Sequence, residues 1–419
     1  MTSRRIRLVS LIVLAVSLSI HVWDLSRPGL VDRTGRLKVP DFLQFYTYGS
    51  LIRAGQSSHL YDAHAHAQMA ALRVDRRLAL TGFHPNYSPV IALLMAPLAV
   101  LTFLQAAAVW SAISLLLYGI AVVLLTRTTE TLRADPLTIA MLAASWPALF
   151  VVLRYGQISA LTLACLSAAV WLHKHGHPLG SGVVLGLLAY KPNLLIAPAL
   201  IVLLAREWRL MSGLLLGTAL ELSLAVAVVG PRAFAEYVQI LIALGKRPDL
   251  VQLYSTESHS FRGLIQAVAS DNRILAAALV AGVAFATWAG CRIWRNSDDG
   301  RVRWSALTLA MLFASPHLLT YDLLLLAVPL ILIGDWRSQP DLKARSTYDP
   351  REEHATAWRV AMGLLYIGAW PGTLLARMYH VQPSTIGMAL VLWLLCVYLR
   401  SRASTTVATS SSMSPIISS

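Results

Sequence analysis

Apolar residues fall along this chain in long blocks separated by short polar breaks. The first block, Leu8 to Trp23, contains no Lys, Arg, Asp or Glu. Its length approaches the roughly 20 residues an α-helix needs to cross a bilayer. Reading blocks and breaks in order predicts an all-α polytopic membrane protein of about 12 transmembrane helices. They fall at roughly 8–24, 105–126, 136–152, 158–173, 178–190, 192–205, 210–229, 273–294, 304–319, 322–334, 357–377 and 383–400. Several are short for a full crossing, and those around Lys191-Pro192 and Pro316-His317 are expected to be broken or tilted. The stretch Val90–Phe103 follows Pro89 and contains Pro97. It reads as a half-buried helix on the outer face, because a span there would invert every later loop.

Composition agrees with the pattern. Of 419 residues, 56% are hydrophobic and only 13% charged, against about 25% charged in a soluble domain. The net charge of +14 would point to nucleic acid in a soluble chain. In a membrane chain it must first be sorted by loop, since cytoplasmic loops collect Lys and Arg. With 12 spans, 19 of the 35 basic residues fall on the inner side, and the short outer loops keep only Arg154, Lys191 and Arg377. The rest lie in two long outer segments, about 25–104 and 230–272, and long segments translocate largely regardless of charge. Both termini are therefore expected in the cytoplasm, with Met1–Arg7 opening a signal-anchor helix. Residues 1–400 read as one membrane-embedded domain. The Ser/Thr-rich stretch 401–419 reads as a disordered cytoplasmic tail. No basic face suited to nucleic acid is visible.

The chemistry must come from the polar remainder. Cys165, Cys291 and Cys396 match no zinc or redox spacing. His59, His64 and His66, and likewise His173, His175 and His177, lack the acidic or cysteine partners of a metal site. No carboxylate cluster suits Mg²⁺ or Mn²⁺ either, so no cofactor is expected. In the first outer segment, Asp41 opens an aromatic-rich helical run with Phe42, Phe45 and Tyr46 at helical spacing, ending near Gly55. That run predicts a helix on the membrane surface. Asp41 is then either an N-cap or a general base at the water–lipid boundary. Lys191 interrupts an apolar stretch. It either snorkels to the interface or offsets a lipid-borne phosphate. Arg154-Tyr155-Gly156-Gln157 ends one span, while His317 and Asp322 flank a late outer turn. Glu221 is a charge inside a span, with no partner legible in sequence.

Taken in order, these features resemble glycosyltransferase family 87, integral membrane enzymes of the GT-C class. The resemblance rests on Asp41-Phe42 with Phe45-Tyr46 and Gly49; Leu60-Tyr61-Asp62; and Tyr87-Ser88-Pro89 with Met95-Ala96-Pro97-Leu98. It continues through Trp110, Tyr155-Gly156-Gln157, Gly182 to Lys191-Pro192, and Ser315-Pro316-His317 with Tyr321-Asp322. Where the family typically has Tyr-Pro-Pro, this chain has Tyr87-Ser88-Pro89. The resemblance implies a GT-C-like bundle and a hexosyltransferase of the inner membrane, which the lack of a carboxylate cluster makes metal-independent. Its donor would be a polyprenyl-phosphate-linked sugar, mannose above all, and its acceptor a glycolipid or glycan on the outer face. Asp41 would be the base of an inverting transfer, with Lys191, His317 and Arg154 at the donor phosphate. Tyr46, Tyr87, Gln157 and Asp322 would hold substrate, with membrane lipids as the surroundings and no nucleic acid. The competing readings are a lipid-linked glycan transporter or flippase and a polysaccharide polymerase or ligase.

Overall fold

The computed structural model describes residues 3–76, 85–246, 258–266, 268–269, 271–339, 354–368, 375, 378–379 and 381–411. Among them the chain is helical, apart from two isolated bridges joining Val31 to Leu37 and Ser258 to Leu319. The helices begin with α1 (Ser3–Leu25), α2 (Pro40–Arg53), α3 (Ala63–Arg73), α4 (Pro89–Met95), α5 (Phe103–Thr128) and α6 (Pro136–Ala144). Then come α7 (Pro147–Tyr155), α8 (Ser159–Lys174), α9 (Pro178–Gly186), α10 (Ile196–Leu204), α11 (Trp208–Lys246) and α12 (Phe261–Gln266). Last are α13 (Asn272–Asn296), α14 (Gly300–Ala314), α15 (Ala327–Ser338), α16 (Ala355–Ile367) and α17 (Pro383–Ser411). Helices α1, α5, α11, α13 and α17 are each long and apolar enough to cross a membrane. Helices α6 and α7 form a sixth candidate, bent by 46° at the break between them. This is a helical membrane protein.

The burial pattern shows which solvent the fold expects. On α1 the exposed side chains include Leu8, Leu11, Ile12, Leu18 and Val22, while Ser10, Ser17 and Asp24 are buried. The buried three are spaced by seven residues, two helical turns, and so share one face. Apolar outside and small or polar inside is what a hydrocarbon surround favours. The same physics joins α9 to α11. A Cβ on Gly182 would sit 2.1 Å from the Leu210 carbonyl oxygen, and one on Gly213 would sit 2.1 Å from that of Leu179. With Gly186 and Gly217 one turn further on, both helices present small residues at i, i+4, and their backbones touch.

The structure bears on three expectations. The helix carrying Asp41 does not lie on the surface: in α2, Phe42, Leu43 and every residue from Phe45 to Leu51 are buried. Its aromatic side chains surround the axis instead of forming one stripe, so it is wedged among α3, α4 and α5. The segment 90–103 contains the 7-residue α4 and a 3₁₀ turn at Leu98–Val100. At 1.5 Å per residue, α4 falls well short of the roughly 30 Å hydrocarbon core. Finally, α17 extends through Ser411, so the first part of the expected disordered tail is helical. An already nucleated helix gains one bond for each further residue. Residues 412–419 lie outside the described residues, as does His84.

Candidate active site

Asp41 enters α2 through a strained backbone. Val39 precedes the helix at φ 47°, in the left-handed region, where a β-branched residue is an outlier. Such strain costs about 1–3 kcal/mol and persists only where the surroundings impose it. Pro40 then takes the first helical position, with its fixed φ and missing donor. Asp41 is thus inside the first turn, where the helix dipole favours a carboxylate, and not at the cap.

The partner that reaches Asp41 comes from the end of α7. Gly156 closes that helix at φ 71°, and a Cβ there would lie 2.6 Å from the Cβ of Phe42. Only glycine allows both the left-handed turn and this approach. Trp110 from α5 donates to the Gly156 carbonyl at 3.1 Å and stacks on Phe42, holding the turn against α2. The next residue, Gln157, donates its Nε2 to Asp41 Oδ2 at 2.7 Å. Tyr87 donates to Gln157 Oε1 at a longer 3.4 Å. Burial pushes the Tyr87 phenol well above its ordinary pKa, reinforced by the charges of Asp322 and Asp41. Tyr87 also shares a hydrogen bond with Tyr321, so this residue links Asp41 to the late turn.

On that side, α14 ends at Ala314 and a seven-residue 3₁₀ stretch, Thr320–Leu326, carries Asp322. Lys191 sits between two short 3₁₀ turns, Leu187–Tyr190 and Pro192–Leu194, as the expected break there requires. Its Nζ lies 2.5 Å from Asp322 Oδ1, which also accepts from Ser159 Oγ at 2.9 Å. The ammonium lies 5.4 Å from the Tyr321 ring centroid, within cation–π range. Asn193 donates to Ser315 Oγ at 2.9 Å and to the His317 carbonyl at 3.3 Å, so the Lys191 and His317 segments are tied together. His317 senses the charges of Asp322, Lys191 and Arg262.

The structure thus brings Asp41, Gln157, Tyr87, Asp322 and Lys191 into one polar chain, with the His317 backbone tied beside it. Two other candidates face elsewhere. Tyr46 donates to the Leu101 carbonyl at 2.8 Å and accepts from Arg73 at 3.0 Å. Arg154 makes ion pairs with Asp24 and, at 2.6 Å, with Asp32. Asp32 accepts further bonds from the Thr34 hydroxyl and the Thr34 and Arg36 amides. Burial opposes its ionisation, but these hydrogen bonds and Arg154 hold its carboxyl below the ordinary value. Arg154 therefore ties α1, α7 and the loop that delivers α2.

Some polar residues outside this group have local partners of their own. His66 contacts Thr47 Oγ1 and the Leu60 carbonyl, and burial brings its pKa down to about 4. Glu221 finds the partner hidden from sequence, Ser88 Oγ at 2.5 Å. Among the described residues, no three His, Cys, Asp or Glu side chains gather as a metal site would need. Two members of the site were missed in sequence. Ser159 lies two residues past Gln157, which was the available hint. Arg262 stood in a long segment of mixed charge with nothing local to mark it.

A family model for glycosyltransferase family 87 matches residues 83–320, more than half of the chain. The chain belongs to glycosyltransferase family 87. It is a membrane glycosyltransferase. The match contains Tyr87, Arg154, Gln157, Lys191 and His317, whereas Asp41 lies before it and Asp322 just beyond. No curated protein and no solved structure matches this glycosyltransferase.

Proposed function

We propose that this glycosyltransferase is a GT-C-class hexosyltransferase with about 12 spans. It moves mannose from a polyprenyl-phosphate donor to a glycolipid or glycan acceptor on the outer face of the inner membrane. The observation that carries the reading is the polar chain from Asp41 through Gln157 and Tyr87 to Asp322 and Lys191. It joins a carboxylate to a cation across segments far apart in sequence. Sugar transfer needs both: a base for the acceptor hydroxyl and a positive group for the departing phosphate.

In this mechanism Asp41 takes the proton from an acceptor hydroxyl. The oxygen forms a bond to the anomeric carbon from the face opposite the donor phosphate. The bond from that carbon to the phosphate oxygen breaks, and its electron pair leaves with the lipid phosphate, so the anomeric configuration inverts. Gln157 holds Asp41 in place through its hydrogen bond to Oδ2. Lys191 and His317 stand where the phosphate charge develops, and Asp322 holds Lys191 and sugar hydroxyls. Both termini lie in the cytoplasm.

The test is to incubate purified full-length protein in nanodiscs with radiolabelled polyprenyl-phosphate mannose and an extract of envelope glycolipids. The expected result is labelled glycolipid whose new anomeric centre is inverted relative to the donor, read by NMR. Labelled donor crossing a vesicle membrane without any mannosylated product would instead favour a flippase.

A further inference from the structure

Arg262 is a buried cation without a described counter-charge. It sits in the first turn of α12 and is 5% exposed. No described residue accepts a hydrogen bond from it or forms an ion pair with it. Burial lowers its pKa, the sign of a charge removed from water. The partly buried arginines elsewhere differ: Arg154 has Asp24 and Asp32, and Arg301 has Asp299 and Asp335. A buried, uncompensated charge is costly, so the fold retains it against its own stability.

The backbone places this cation beside the candidate active site. Ser258 bridges to Leu319, and the His259 amide donates to the Leu318 carbonyl at 2.7 Å. The segment entering α12 therefore runs alongside the His317 turn. Phe261, next to Arg262, stacks on Phe313 of α14 at 5.2 Å. His259 itself is occupied, by Ser384 at 2.7 Å and Thr320 at 3.2 Å, which makes it a strut. Lys191 is already neutralised by Asp322. The cation beside the late turn that no described carboxylate offsets is thus Arg262.

We infer that Arg262 binds the phosphate group of the lipid-linked donor, as the cation that remains after Lys191 and Asp322 have paired. This rests on the donor reading above. A guanidinium offers a planar fork matched to phosphate oxygens. Lys191, tied to Asp322 and lying over Tyr321, then shares the phosphate with Arg262 instead of offsetting its charge alone.

The test measures binding apart from transfer, by native mass spectrometry of full-length protein released from nanodiscs containing polyprenyl monophosphate, neutral polyprenol, or neither with inorganic phosphate added. Wild type should prefer polyprenyl phosphate to polyprenol by at least about tenfold, the scale of one hydrogen bond to a charged group. Arg262→Gln should erase that preference, and Arg262→Lys should restore part of it. Glu257→Gln, which changes the acidic residue nearest in sequence, should leave it intact. A preference unchanged in Arg262→Gln would overturn the assignment. So would loss in Glu257→Gln equal to that in Arg262→Gln, since Arg262 would then be a structural partner of Glu257. Binding of inorganic phosphate as strong as that of the lipid would also overturn it. Loss of phosphate preference in a protein that transfers no sugar would leave this inference standing and refute the proposed function instead.

Discussion

The two ends of the bundle use the same residue types differently. Helices α5, α8 and α14 run between them. At the Thr128–Lys174–Gly300 end, Asp335 is fully buried and its charge is matched. It accepts from the amides of Glu130, Thr131 and Leu132 at 2.7–2.9 Å and pairs with Arg301 at 2.7 Å. Arg301 in turn binds Asp299 at 2.6 Å and Gln339 at 2.7 Å. At the Phe103–Ser159–Ser315 end, Lys191 pairs with Asp322, Asp41 is held by the neutral Gln157, and Arg262 has no described counter-charge. A completed network fixes a turn and does nothing more. A rigid network whose charges stand apart is prepared for a ligand. Some of the basic residues at the completed end, Arg301 above all, thus act as a structural lock.

The comparison is easiest to break at the completed end. Asp335→Ala should destabilise the protein by about 3–5 kcal/mol by leaving Arg301 and three amides without their acceptor. In the surviving folded fraction, donor affinity should not change. Thermal unfolding followed by donor titration checks both, and a donor KM raised tenfold would blur the distinction between the ends.

Next is Gly156→Ala. A Cβ at φ 71° and 2.6 Å from Phe42 should cost about 1–3 kcal/mol and displace Gln157 from Asp41. Its signature is a turnover loss larger than the loss of stability explains. Variant turnover equal to wild type would show that the Gln157–Asp41 bond is incidental. A smaller effect is expected of Tyr87→Phe, whose bond to Gln157 is long at 3.4 Å. Turnover should fall about tenfold or less, in line with one weak hydrogen bond of about 1 kcal/mol, with donor binding retained.

The smallest effect is acid sensitivity of the Arg154 staple. The Asp32 carboxyl is depressed in the folded state, so its stabilisation is present in full above the unfolded value near 3.9. It is lost as pH falls through the folded value. Unfolding midpoints should be flat from pH 8 to 5 and drop below about pH 4. Asp32→Asn should flatten that drop, and an identical acid profile in the variant would remove Asp32 from the account.

How much of this was legible in sequence follows the physics of each feature. The long apolar blocks coincide with α1, α5 and α13 to within about five residues, and with the starts but not the ends of α11 and α17, because hydrocarbon demands continuous helix. The breaks at Lys191-Pro192 and Pro316-His317 were legible because Pro cannot continue the hydrogen-bonded ladder. The burial of α2 was not, since aromatic residues on all sides look alike whether lipid or protein covers them. Nor were pairings across long separations: Ser88 with Glu221, Arg154 with Asp24, Asp335 with the turn at Glu130. Arg262 was invisible for the opposite reason, because its distinguishing property is a partner missing from the described surroundings.

The most direct measurement is turnover by Asp41→Asn, in full-length protein whose melting temperature matches wild type. The Asn side chain preserves shape and still accepts from Gln157, but it cannot take a proton. The account predicts a fall of about 10²–10⁴-fold in transfer from polyprenyl-phosphate mannose, with donor binding unchanged. Full transfer by this variant would contradict the account and leave the Asp41 end a structural network like the other.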